Sequence, residues 1–382
     1  MKITPEPSHS EAIYNIGDLY FQDLLKDIAL ATSTINLETY IFDNDHLGQK
    51  VAEALMAAAE RGIQVRVLVD GAGTPQWSSS LAPSLESSGV QTRIFHPFPW
   101  QLWSWSRAVV KVPLLLKWIY LLLKINSRNH RKVCMIDQKI AYIGSLNISA
   151  SHLSVIAGGK GWRDTAVKLE GADLSQPLEA FNQAWDNQPL KERLSAAFRQ
   201  VRRNPLIRLN HTRHRRRVLH KNLIRIMSKC KHRLWITNAY FVPDNRLLKQ
   251  LKEAAATGVD VRILLPKTSD VRMMPWASNT FYLNLLKAGV RIFEYHLSFL
   301  HAKTLIIDDW MLVGSSNLNH RSLLHDLEID VNITTDEAKK AVETQFIEDL
   351  KSSKEINLDE WLKRPLSQRI MGRLILYAKY LI

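Results

Sequence analysis

Two histidine–lysine pairs stand at matching distances from an aspartate and from a serine–asparagine group. The first string runs His130, Arg131, Lys132, then Asp137, then Gly144, Ser145, Leu146 and Asn147. The second runs His301, Ala302, Lys303, then Asp308, then Gly314, Ser315, Ser316 and Asn317. These residue types suit phosphoryl chemistry. A phosphodiester carries one negative charge, and its five-coordinate transition state gathers charge on the equatorial oxygens. Two ammonium groups and two amides aimed there supply the stabilisation that metal ions give in other phosphodiesterases. One neutral imidazole can attack phosphorus. The other can protonate the departing alkoxide and then deprotonate an incoming alcohol or water. Such a reaction runs in two steps through a phosphohistidine, so the acceptor is chosen only in the second. A lone His-x-Lys on a strand carries no information, and one full string could serve a salt bridge. Two copies at corresponding places in a repeat argue for catalysis.

Imidazoles in such a site need orienting partners. Asp164 lies after the first string and Glu328 after the second. Asp164 is therefore expected to accept a hydrogen bond from His130, and Glu328 from His301; ordinary strand-end ion pairs are the competing reading. Ser145 and Ser315 are expected beside the substrate phosphate. His46, His220 and His325 read as surface or structural residues, and Cys134 as strand core.

The elements that must position these groups also repeat. An apolar strand ends in Tyr40 in one copy and Tyr240 in the other. Each is followed by an Ala-rich helix closed at Gly62 or Gly258, then by a Val-Arg strand, with glycine as the expected helix stop. A second helix ends in Gly89-Val90 and Gly289-Val290 before a short strand. Strands alternating with helices imply βαβ units. Side chains two apart on a strand share a face, which puts each histidine beside its lysine. The fold expected is α/β, with two pseudo-symmetric half-domains, each a mostly parallel sheet flanked by helices, and an active site at their interface. The boundaries expected are 1–190 for the first half, 191–220 for a basic linker, 221–352 for the second half and 353–382 for a basic amphipathic tail.

The chain's 382 residues are 46% hydrophobic, enough for a large folded core, and the net charge is +14. That charge is uneven. Residues 97–136, 199–217 and 361–382 contain no acid and hold 20 of the 51 basic residues, leaving 31 against 37 acids elsewhere. A polyanion is the natural partner, either nucleic acid or an anionic membrane surface. Met1–Asp18 has no apolar run, so no secretory signal peptide is expected, and no stretch is long and apolar enough for a simple spanning helix. Two separated cysteines, Cys134 and Cys230, fit a reducing compartment and argue against a zinc site. The halves differ most at 97–126, an insertion holding Trp100, Trp103, Trp105, Trp118 and Tyr120. On one helix, Arg107, Lys111, Lys117 and Lys124 would span an arc of about 140°, with Pro113 kinking or splitting it. That pattern suits a helix lying in a membrane interface; a hairpin packed on the core is the alternative. Leu366, Ile370, Leu374, Tyr377 and Leu381 give the tail a similar character. Nucleic-acid grooves use isolated aromatics and do not need LLLKWIYLLL at 114–123, so a lipid surface is favoured and no nucleic acid is expected.

The two strings resemble the HKD signatures of the phospholipase D superfamily, over nearly the whole chain. Within it the chain is most similar to bacterial cardiolipin synthases, through INLETYIF at 35–42, NHRK at 129–132, WRDT at 162–165 and SSNL at 315–318. The resemblance implies transfer of a phosphatidyl group onto the hydroxyl of phosphatidylglycerol, with a second phosphatidylglycerol or phosphatidylethanolamine as co-substrate. It also implies a site without metal or cofactor, with His130, His301, Lys132, Lys303, Asn147 and Asn317 around the phosphate, and structural roles for Asp137 and Asp308. The expected setting is the cytoplasmic face of a bacterial inner membrane, peripherally bound to anionic phospholipid and with no obligate protein partner. The sequence departs from the family at GSLN (144–147), NHRS (319–322) and HDLE (325–328). Phospholipase D-type hydrolysis of phospholipid, and less so nuclease activity, are the alternatives.

Overall fold

The computed structural model describes residues 9–186 and 205–363. The first half builds a seven-stranded sheet. Its strands are β1 (Ser10–Tyr14), β2 (Thr34–Thr39), β3 (Gln64–Asp70), β4 (Gln91–Phe95), β5 (Val133–Ile136), β6 (Ile140–Gly144) and β7 (Ala166–Glu170), in the order β1-β7-β6-β5-β2-β3-β4. The second half builds eight strands: β8 (Ile207–Leu209), β9 (Arg233–Thr237), β10 (Asp260–Pro266), β11 (Arg291–Tyr295), β12 (Thr304–Ile307), β13 (Trp310–Gly314), β14 (Ile329–Ile333) and β15 (Ser353–Ile356). Their order is β15-β11-β10-β9-β12-β13-β14-β8. The central pattern repeats, so the halves are pseudo-symmetric.

Each sheet is mixed rather than mostly parallel. Only β2-β3-β4 and β9-β10-β11 run parallel, and the remaining neighbours pair antiparallel. The βαβ reading holds for those three strands of each half. The motif strands form tight hairpins instead, β5-β6 and β12-β13, and a hairpin is necessarily antiparallel.

Helices His46–Glu60 and Asn245–Ala256 occupy the repeated crossover. Their N-termini are capped by Asp45 and Asp244, whose carboxylates accept backbone N–H groups of the first turn. Gly62 and Gly258, at φ 89° and 87°, reverse the chain afterwards, a left-handed geometry that glycine adopts without a Cβ penalty. One face of each sheet buries against these helices. The other faces meet in a single shared core, in which Met135, Ile143 and Val167 of one half pack with Ile306, Val313 and Val331 of the other. The halves therefore form one packed body.

Two boundaries differ from expectation. Strand β8 lies inside the expected linker and helix Arg213–Met227 begins inside it, yet both belong to the second half. Strand β15 pairs with β11, and helix Leu358–Leu362 buries Trp361, so the second half continues past residue 352. The rest of the tail and linker lies outside the described residues. The insertion is also not one kinked helix. Residues 107–109 lie along β4, with Val109 N donating to Ile94 O at 3.0 Å, and the helix begins only after Pro113, at Leu114–Leu123.

Candidate active site

The two histidines come together through segments that cross between the halves. His130 N donates to Leu327 O at 2.9 Å, and Leu327 N donates back to Arg128 O at 2.9 Å. On the other side Arg163 N donates to Phe299 O at 2.9 Å, and His301 N donates to Arg163 O at 2.8 Å. Arg163, bound through both nitrogens to Asp349 at 2.9 and 2.8 Å, braces that second bridge. Each histidine thus sits beside the acid that precedes a strand of the opposite half.

This crossing reverses the expected partners. His130 Nδ1 lies 3.0 Å from Glu328 Oε2, and His301 Nδ1 lies 2.7 Å from Asp164 Oδ2. Proximity in sequence suggested pairing within a half. The interface bridges select the other half instead.

Ser145 and Ser315 are not placed to bind phosphate. Both are fully buried. Ser145 Oγ donates to Asp164, and Ser315 Oγ donates to Glu328 Oε2 at 2.5 Å. They hold the carboxylates from behind, and neither lines the cleft. Asp137 and Asp308 also lie away from it, accepting backbone N–H groups at the starts of β2 and β9.

His130, His301, Asn147 and Asn317 line one cleft of about 410 Å³, together with Tyr40, Trp162, Tyr240, Asp270, Arg321 and Asp326. Asn147 Oδ1 accepts the Ile41 N–H at 3.2 Å, which leaves its amide hydrogens for a ligand. Lys132 Nζ donates to His130 O at 2.8 Å, and Lys303 Nζ donates to His301 O. The Lys132 ammonium lies 5.2 Å from the centre of the Tyr40 ring, and that of Lys303 lies 5.8 Å from Tyr240. Sequence reasoning assigned no role to these two tyrosines. Their similar places just after β2 and β9 were the signal.

Burial is the leading influence on the site's ionisable groups. Burial pushes Lys132 down to about 7 and Lys303 to about 8. Burial, with the two lysines adding to it, holds His130 well below the usual histidine value. His301 falls to about 3 through burial and Lys303, against the opposing pull of Asp164. Burial pushes Glu328 up to about 7. Burial would raise Asp164 too, but His301 and His152 outweigh it and hold this carboxyl well below its ordinary value. A phosphodiester entering between the lysines would reverse their mutual repulsion.

His152, Asp164 and His301 form the one cluster with metal-ligand spacing among the described residues. Its hydrogen bonding argues for protons rather than a metal. Asn147 N donates into His152 Nε2 at 3.1 Å, so in the neutral ring Nδ1 carries the hydrogen. That nitrogen faces Asp164 Oδ2 at 3.2 Å, beside the shorter contact from His301.

The chain matches the family model described as "Cardiolipin synthase, PLD-like domain" over residues 24–185 and 223–350. It is 31% identical to a cardiolipin synthase of Clostridium perfringens strain SM101 over 94% of this chain and 74% of that one. It is likewise 31% identical to a cardiolipin synthase of Staphylococcus aureus strain Mu50, over 93% and 70%. Among solved structures, phosphatidylserine synthase from Haemophilus influenzae Rd KW20 superposes with a TM-score of 0.70 at 12% identity, covering 97% of this chain and 94% of that one. Polyphosphate kinase from Porphyromonas gingivalis gives 0.58 at 13% identity over 97% and 56%. At those identities the structures speak for the fold alone.

Proposed function

The chain belongs to the phospholipase D-like family of cardiolipin synthases and is a phosphatidyltransferase, and on that premise we propose that it makes cardiolipin from phosphatidylglycerol through a phosphohistidine. The observation that supports this most is the pair of imidazoles facing one cleft, each with Nδ1 on a carboxylate from the opposite half. Nδ1 is occupied, so Nε2 is the reactive nitrogen of each ring.

His130 attacks phosphorus of the donor lipid. A P–N bond forms, the P–O bond to the headgroup glycerol breaks, and His301, which takes up a proton at Nε2 when the anionic phosphodiester offsets the neighbouring lysine charge, gives that proton to the departing oxygen. The headgroup hydroxyl of phosphatidylglycerol then loses its proton to His301 Nε2 and attacks phosphorus, and the P–N bond breaks; phosphatidylethanolamine, which has no free hydroxyl, could enter only as the donor, with ethanolamine leaving in place of glycerol. Lys132, Lys303 and the amides of Asn147 and Asn317 bind the non-bridging oxygens, where charge grows in both transition states. The roles follow the carboxylates. An imidazolium gains most from an ionised neighbour, and Asp164 beside His301 is held ionised more firmly than Glu328 beside His130.

The second substrate is met at a lipid surface. Helix Leu114–Leu123 turns Leu114, Leu115 and Leu123 outward, each more than 70% exposed, near the exposed Trp100 and Trp103. No acid occurs from residue 97 to 136. Among the described residues no helix is long and apolar enough to cross a membrane, so we assign this surface to contact with anionic phospholipid.

Purified protein incubated with phosphatidylglycerol liposomes, with and without phosphatidylethanolamine, tests the reading by thin-layer analysis of the lipids. Cardiolipin with release of glycerol is expected, and His130→Ala and His301→Ala should each abolish it. Phosphatidic acid as the sole product would make the enzyme a hydrolase. Full activity in either single variant would overturn the two-histidine mechanism.

A further inference from the structure

The halves are not equivalent behind their histidines. Five residues after each motif asparagine the chain turns back toward the orienting carboxylate. In the second half that position is Ser322, whose Oγ donates to Glu328 Oε1 at 2.6 Å. In the first half it is His152, whose Nδ1 faces Asp164 Oδ2 at 3.2 Å. Beside its catalytic-site imidazole, His130, Glu328 is therefore contacted by two hydroxyls, Ser315 and Ser322, whereas beside His301 Asp164 is contacted by one hydroxyl and a second imidazole. His152 is buried and held by a hydrogen bond at Nε2, while its Nδ1 approaches Asp164 Oδ2 at 3.2 Å outside ideal hydrogen-bond geometry and has no other partner among the described residues. Its Nε2 takes the Asn147 N–H, and its ring lies 5.4 Å from Trp162 and 5.8 Å from His301.

We propose that His152 is a positioning residue for proton transfer: by donating Nδ1–H to Asp164 it fixes the carboxylate that carries His301, and so sets His301 apart as the acid and base. This rests on the two-histidine reading above. A carboxylate that already accepts one hydrogen bond has less negative charge for a second donor. Asp164 then orients His301 without holding its imidazolium so tightly that the Nε2 proton is retained. The link to Asn147 also ties this geometry to an amide that lines the cleft. The other titratable or charged groups that sense Asp164 are Lys132, Lys303, Tyr20 and Tyr240. None of these donates a hydrogen bond to it in the structure, and Ser145 and the Thr165 N–H complete its shell.

Two near-isosteric variants separate the two ends of the ring. In His152→Asn the amide nitrogen replaces Nδ1 and keeps the donation to Asp164. In His152→Gln the amide group replaces Nε2, keeping an acceptor for the Asn147 N–H but no donor at Asp164. Cardiolipin formation is measured against pH for both, with thermal melting alongside. The Asn variant is expected to keep the wild-type pH optimum. The Gln variant should lose about ten-fold in kcat with little change in KM. Its optimum should move up by about half a pH unit or more, because a carboxylate relieved of one donor stabilises the His301 imidazolium. Wild-type pH profiles in both variants, or the larger loss in Asn, would overturn the proposal. If the Gln variant melts below the assay temperature, His152→Ala with added imidazole replaces it. Return of both rate and pH optimum supports the role, and return of the melting temperature alone overturns it. His130→Ala and His301→Ala run beside them. Activity in either means that the two-histidine reading has failed, whereas inactivity in both with unchanged His152 profiles sinks only the His152 assignment.

Discussion

At the scale of single residues, each imidazole is held by an acid of the opposite half, His130 by Glu328 and His301 by Asp164. That His130, His301, Asn147 and Asn317 would share one cleft was legible because the two strings repeat. The partners were not legible. Sequence neighbours suggested Asp164 for His130, whereas the pairing is set by backbone bridges at Leu327 and Arg163 that cross between halves. Nor does a sequence reveal which side of a serine faces solvent. Ser145 and Ser315 follow the glycine that ends each hairpin strand, and there they turn inward to the carboxylates. Their mutation tests this placement. Ser145→Ala and Ser315→Ala each remove one donor from a buried carboxylate, a loss of about 1–2 kcal/mol. Steady-state kinetics should show kcat lower by several-fold and KM nearly unchanged, because neither hydroxyl reaches the cleft. A raised KM with intact kcat would restore them to the phosphate.

At the scale of elements, the motif aspartates show why each string is longer than its chemistry requires. Asp137 and Asp308 begin the hairpin turns in left-handed backbone, at φ 52° and 51°. Aspartate tolerates that region better than most residues. From there Asp137 accepts the N–H groups of Thr32, Ser33 and Thr34 at 2.8, 2.7 and 3.0 Å, and Asp308 those of Lys231, His232 and Arg233 at 2.9, 2.9 and 3.0 Å. Each one ties its hairpin to the central strand, β2 or β9, that leads to Tyr40 or Tyr240. Asp137→Ala should lower unfolding stability by about 2 kcal/mol, from lost acceptors and backbone strain. The rate measured well below the melting temperature should stay within about two-fold. Burial would raise the Asp137 carboxyl, but the backbone donors outweigh it and hold it below its ordinary value. A depressed carboxyl contributes stability above its unfolded value of about 3.9, and that contribution is lost as the pH falls toward the folded value. Denaturant melts of wild type and Asp137→Ala should therefore converge in acid. A variant as stable as wild type at neutral pH, or one with a collapsed rate, would refute the structural role. The βαβ strands were readable from their Gly-Val punctuation. The antiparallel remainder was not, since a short apolar run looks alike in either direction.

At the scale of the whole molecule, the question is which surface meets lipid. The excess positive charge sits in three segments, of which only the insertion is described throughout. Its expected amphipathic helix is replaced by an extended stretch on β4 and a short helix that is apolar nearly all round. Two consequences follow. Arg107 is bound to Glu86 through two bonds of 2.7 Å, and Lys117 donates to Trp105 O at 3.2 Å, so neither is turned wholly toward headgroups. Trp105 is 8% exposed, whereas Trp103 and Trp118 are 60% and 45% exposed. A charge at Trp105 would break the core and say nothing about membranes. Trp103→Glu with Trp118→Glu places charge only on the outer surface, where a surface substitution changes stability by about 0.5 kcal/mol or less. The double variant should keep its melting temperature and its cleavage of a soluble short-chain phosphodiester, because His130, Lys132 and their partners are untouched. It should lose sedimentation with anionic liposomes, since two indoles leave the interface and two negative charges face an anionic surface. Trp105→Glu alone should lower melting temperature and both activities together. A well-folded double variant that still sediments fully would show that another surface, not this helix, carries the protein to its lipid.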